Sequence, residues 1–215
     1  MRPALGSPAG GAWTRRELAI LDRLRSPQAI QGFLDRIEYS ADPFYRSPRR
    51  VLRDRKAHCF DGALFAAAAI RRLGHRPLVV DLRAENDDDH MIAVFRHGGR
   101  LGAVAKSNFV GLRYREPLFR DLRELVLSFF EDFYNVARQK TLRSYSVPLD
   151  LTRFDAVRWE TSEEGLELIA ERLDSARHFG VLTRRQAGEL APVDVRRYRA
   201  GLMGSNPKGL YRPRR

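Results

Sequence analysis

The chain has 215 residues, 43% of them hydrophobic and 31% charged, with a formal net charge of +12. That length supports one substantial core, and the composition is that of an ordinary globular chain, which excludes a fibrous or wholly disordered one. The longest apolar stretch, Phe60 to Ile70, is broken by Asp61 and is too short to span a bilayer, so no membrane partner is expected.

The start, MRPALGSPAGGAW, lacks an apolar run followed by a small-residue cleavage site, which points to a cytoplasmic protein. One cysteine permits neither an internal disulfide nor a thiolate metal cage. The basic excess is nearly all arginine and is spread along the chain in short runs such as Arg71-Arg72, Arg184-Arg185 and Arg196-Arg197. Such runs suit solvated helix faces. They make nucleic acid an unlikely partner, and they offer an Arg-rich surface to an acidic one.

Residues 1–12, rich in Gly, Pro and Ala, are expected to be disordered. Thr14 caps a first helix, RRELAILDRLR, and Ser26-Pro27 opens a second with an apolar stripe of Ile30, Phe33, Leu34 and Ile37. Residues 39–55, with Pro43 and Pro48, read as a loop that regains a helical turn near Val51-Leu52. CFDGALFAAAAIRRL, 59–73, reads as a helix with Asp61 in its first turn, Arg71 and Arg72 in its last, and Gly74 as its stop. Strands follow at 77–82, 90–95 and 101–105. The second is apolar on both faces, and the His97-Gly-Gly-Arg100 turn joins it to the third. Beyond them come an amphipathic helix over 121–134, a strand near 144–149, a helix opening at Ser162 and running to about Ala176, and a last helical region from Thr183. Residues 13–203 then form one domain and 204–215 a basic tail. The fold class is α+β, a Cys-bearing helix on a small antiparallel sheet with flanking helices.

The chemistry-bearing pattern is a cysteine starting a helix, then a strand, then a histidine opening the next strand, then a hairpin to a strand ending in polar residues. A helix N-terminus favours a thiolate and offers free N–H groups to an oxyanion. A nearby imidazole can take the thiol proton and return it to a leaving group, oriented by a third polar side chain. The competing readings are structural: Cys59 as a buried thiol, His90 as a strand residue pairing with Asp87, Asp88 or Asp89, and Asn108 as a turn residue. His58, His75 and His97 read as loop or turn residues and His178 as a residue near a helix end. The run Asp87-Asp88-Asp89-His90 lacks the spacing of a calcium loop, and no Gly-rich phosphate motif is present, so neither metal nor cofactor is expected.

The block AHCFDGALFAAAAIRRLG, PLVVDLRA and DDDHMIAVFRHGGRLGAVAKSNF resembles the core of the transglutaminase-like superfamily, over residues 57–110 only. That family orders its site Cys, His, Asp on one helix and two adjacent antiparallel strands. The resemblance implies Cys59 as nucleophile and His90 as base. The third position holds Ala105, Lys106, Ser107 and Asn108 and no carboxylate, so Asn108 is the first candidate to orient the imidazole and Ser107 the second. Met91 and Ile92 stand where the family has an aromatic residue after the histidine. The implied activity is a cysteine hydrolase or acyl transferase that acts on a peptide, amide or thioester through a thioacyl-enzyme intermediate. Two alternatives stay open: a catalytically inactive binding module of the same fold, and a basic nucleic-acid-binding protein.

Overall fold

A computed structural model describes residues 12–213. The disorder expected for 1–12 falls almost wholly outside that range.

Helix starts follow side-chain caps. Thr14 caps α1 (Arg15–Leu21) with a reciprocal bond to Glu17, and Ser26 and Pro27 open α2 (Pro27–Asp35). The same Ser-Pro pairing at Ser47-Pro48 opens α3 (Pro48–Asp54), a full helix where the sequence suggested one turn. The short strands β1 (Glu38–Tyr39) and β2 (Lys56–Ala57) flank α3 and pair in parallel. They lead into α4 (Cys59–Arg72), capped by His58 and Asp61.

Helix α4 lies on an antiparallel sheet of seven strands. These are β3 (Leu78–Ala84), β4 (His90–His97), β5 (Arg100–Val104), β6 (Arg115–Phe119), β7 (Leu142–Ser146), β8 (Leu149–Asp150) and β9 (His178–Gly180). Their order is β6-β5-β4-β3-β7-β9, with β8 also pairing with β3. The expected α+β arrangement is therefore present, on a sheet larger than the three-stranded core plus one strand read from sequence. β6 and β9 had no sequence signal because they are edge strands whose inward residues are few. The strand expected at 144–149 divides at Val147-Pro148 into β7 and β8.

One face of the sheet carries α4, whose alanines 66–69 let it approach closely, along with α2, α3 and Trp159. At the closest approach Gly62 meets Lys106, where a Cβ would lie 2.2 Å from the lysine Cβ. The other face carries Leu125, Val126, Phe129 and Phe133 from α5 (Leu122–Leu127) and the turn after it. The expected 121–134 helix stops at Leu127 and continues as a short, tighter turn over Phe130–Asp132. That change of path lets Phe129 and Phe133 both enter the core.

Helix α6 (Leu166–Asp174) begins at Gly165 in a left-handed conformation (φ 86°) and not at Ser162, whose hydroxyl instead accepts from the Glu164 N–H. The short helices α7 (Arg184–Gly188) and α8 (Val195–Gly201) follow. Gly201 seats α8 against Tyr134: an added Cβ would fall 1.8 Å from the phenolic oxygen, which itself donates to the Arg197 carbonyl at 3.0 Å. Among the described residues no helix is long and apolar enough to cross a membrane.

Candidate functional site

Cys59 is the first residue of α4 and is partly exposed in a cleft of about 440 Å³. The cleft floor comes from the sheet. Asp81 of β3 and Met91 of β4 are cross-strand partners on the α4 face, and both line it. One wall is the loop after β1, with Ser40, Ala41, Asp42 and Tyr45, where the Tyr45 ring stacks on Phe60 at 4.3 Å between centroids. Another wall is α6, through Ala170, Leu173 and Asp174. The last is the segment Lys208-Gly-Leu-Tyr211.

A buried arginine organises the first wall. Arg46, 3% exposed, donates to Asp54 at 3.1 Å and Ser40 at 2.9 Å, and also to Asp42. Its guanidinium stands 3.8 Å from Asp61, whose carboxylate accepts from the Arg46 backbone N–H at 2.7 Å and the His58 N–H at 3.3 Å. Burial pushes Asp61 up to about 7 against the lowering pull of these donors. His58 is pushed down to about 4, first by burial and then by the Arg46 charge, so it serves as a neutral cap. No sequence signal marked Arg46, because its four partners are spread over residues 40–61.

The sulfur of Cys59 faces main chain and carboxylates. Its thiol donates to the Asp89 carbonyl at 3.7 Å, with the Met91 and Phe60 N–H groups nearby. Burial raises the thiol to about 12, and the Asp88 and Asp61 charges add to the rise, outweighing the two N–H groups. A thiol so placed is held protonated at neutral pH.

His90 does not join it. Side chains alternate along a strand, and Met91 is the residue of this pair that turns toward Cys59. His90 turns to the other face, opposite Leu82, and is 4% exposed. Its Nε2 bonds the Leu112 carbonyl at 2.8 Å, and its ring meets Phe133 edge-on at 6.2 Å. Burial pushes the ring down to about 4. The pairing of His90 as base with Cys59 as nucleophile, expected from the order of residues, therefore meets the sheet between them.

The candidates for the third position also point elsewhere. Asn108 donates through Nδ2 to the Asn206 carbonyl at 2.8 Å and accepts from the Asn206 N–H at 2.7 Å. Ser107 accepts from the Phe109 N–H at 3.0 Å. Lys106 is buried and donates to the Leu34 and Ile37 carbonyls at the end of α2, at 2.8 and 2.7 Å. Neither Asn108 nor Ser107 contacts the His90 ring in these bonds.

Asp81, on the cleft floor, belongs to a different polar pair. His178 Nε2 lies 3.0 Å from Asp81 Oδ2, and its Nδ1 lies 2.8 Å from the Ala176 carbonyl. Each ring nitrogen thus faces an oxygen. His178 opens β9 shortly after the end of α6, and residues 97 apart meet here, which no local pattern could signal. Asp42, Asp81, Asp88, Asp89 and Asp174 line the cleft with Lys208, and Asp42 is already paired with Arg46 and Lys56. The three successive aspartates diverge. Asp87 accepts from the Thr141 hydroxyl and Asp89 from the Ala84 N–H, while Asp88 is exposed. Among the described residues no group of three or more His, Cys, Asp or Glu is arranged to hold a metal ion.

No family model matches the chain, and no curated protein does. Among solved structures, EGTA-treated LapG of Legionella pneumophila is similar at a TM-score of 0.38 and 13% identity, covering 69% of this chain and 84% of that one. A likeness at this level leaves the chemistry to be read from the site itself.

Proposed function

We propose that the chain is a binding module whose cleft, beside Cys59, receives a cationic group such as an amine or guanidinium of a peptide or small molecule. The observation that carries this reading is the direction of His90, buried on the face of β4 away from the sulfur. A thiol without a base, ringed by carboxylates, is a poor nucleophile. The same carboxylates, with the Tyr45 and Phe60 rings, make a receptive wall for a cation in a chain whose net charge is +12. Titration with agmatine and with an arginine-containing peptide, followed by calorimetry, tests it. Binding that weakens with salt and with Asp88→Asn or Asp174→Asn supports the reading. Binding of acidic peptides or nucleic acid instead, indifferent to these substitutions, contradicts it.

A second reading is a cysteine hydrolase or acyl transferase acting on an amide or thioester. The place of Cys59 as the first residue of α4 favours it, since the N–H groups of a helix start can hold an oxyanion. Turnover of a thioester, abolished by Cys59→Ala, would establish this reading over the first.

A further inference from the structure

The segment after α8 is held along one wall of the cleft by a definite set of clasps. Gly204 turns the chain in a left-handed conformation (φ 71°), with open space where a side chain would sit. Two residues on, Asn206 is held on both sides. The Asn108 side chain grips its backbone N–H and carbonyl at 2.7 and 2.8 Å, and its own Nδ2 donates to the Tyr39 carbonyl at 3.0 Å. Its Oδ1 accepts from the Lys208 N–H at 3.1 Å, starting the tight turn Pro207–Gly209. Gly209 then rests on the Tyr39 ring, where an added Cβ would lie 2.8 Å from a ring carbon. From there Lys208, Leu210 and Tyr211 form a wall of the cleft that holds Cys59.

The anchoring is uneven. Upstream, α8 is seated by the Gly201–Tyr134 contact and the Tyr134 bond to the Arg197 carbonyl. Downstream of Gly204, the polar attachments described here come from two asparagine side chains. We propose that residues 204–211 form a strap, hinged at Gly204 and latched by Asn108 and Asn206, that opens and closes the Cys59 cleft to ligand. Asn108 is then a positioning residue for the strap. The inference rests on the cleft reading above for its purpose, and its geometry is testable without any ligand.

The sole cysteine reports strap position directly. In the full chain at one fixed pH, Cys59 labelling is followed with N-ethylmaleimide and with the bulkier pyrene maleimide. Asn108→Ala, which removes both bonds to the Asn206 backbone, should speed pyrene-maleimide labelling about tenfold, the scale of two lost hydrogen bonds. The gain with N-ethylmaleimide should be smaller. Asn206→Ala should have a lesser effect, and the double variant should exceed either. Unchanged rates, or equal acceleration of both reagents together with a drop in global stability, would overturn the strap. Hydrogen exchange on the unaltered protein guards against variants that fail to fold. The Asn206 and Gly209 amides should exchange through a local opening well below the protection of β4 amides, and exchange only at the rate of β4 would overturn the proposal. Labelling that responds while agmatine does not bind leaves the strap standing and removes the cleft reading. The reverse pair of results removes the strap alone.

Discussion

The two faces of β4 treat polar groups in opposite ways. On the α4 face, Met91 and Asp81 floor an open cleft, and the charges around it are tied to partners: Arg46 to Asp42, Asp54 and Asp61, and Asp81 to His178. On the far face His90 is closed in opposite Leu82 and against Phe133, with its Nε2 on the Leu112 carbonyl. Residues adjacent in sequence thus belong to different environments. The order Cys, strand, His describes connectivity, and the alternation of a strand decides whether the two groups meet.

The largest expected effect lies on the cleft face. Arg46→Ala removes the guanidinium beside the fully buried Asp61, leaving it only backbone N–H donors, and frees the loop carrying Asp42, so urea unfolding should show a loss of about 3–5 kcal/mol, the scale of breaking a buried pair from one side. A loss under about 1 kcal/mol would mean that the loop does not depend on this hub.

The far face is tested through pH. His90 is pushed down to about 4 in the folded chain from an ordinary value near 6.5. The unfolded chain therefore binds the extra proton between those values. The contribution of neutral His90 is complete above about pH 6.5 and is lost as pH falls toward 4, by up to about 3 kcal/mol. His58, also pushed down to about 4, has the same sign, whereas Asp61, raised to about 7, and Asp87, raised to about 6, oppose it. Comparing the wild type with His90→Gln, which keeps an N–H donor for Leu112, isolates one share. The variant should lose less stability than the wild type between pH 6.5 and 4.5, and parallel curves would place His90 in a wetter setting.

A smaller effect is expected where the cleft helix touches the sheet. Gly62→Ala forces a Cβ into the Lys106 side chain, which is itself pinned to the Leu34 and Ile37 carbonyls. Overpacking of this kind costs about 1–3 kcal/mol, read as a shift in the urea midpoint. A neutral outcome would show that α4 can lift from β5.

Much of the cleft face was legible in sequence. Ser, Thr and Pro caps marked the helix starts, the alanine run marked a close-packed helix, and the hairpin glycines set the register of β4 and β5. Cys59 at a helix start was legible from Asp61 in the first turn and the alanine run behind it. The facing of His90 was not, because β4 is apolar on both faces and its pattern carries no direction. The partners of Asn108 and His178 were not legible because they lie 98 and 97 residues away. Edge strands β6 and β9 are short and hold no buried residue, so their pairing depends on neighbours that no local window contains.

The most direct measurement is the rate of Cys59 alkylation against pH, in the wild type and in His90→Ala. If the sheet separates the two residues, the rate climbs without an inflection through neutrality, as expected of a thiol pushed up to about 12, and the substitution leaves the profile unchanged. A thiolate titrating below pH 8 whose reactivity falls in His90→Ala would contradict the separation and restore the pair as nucleophile and base.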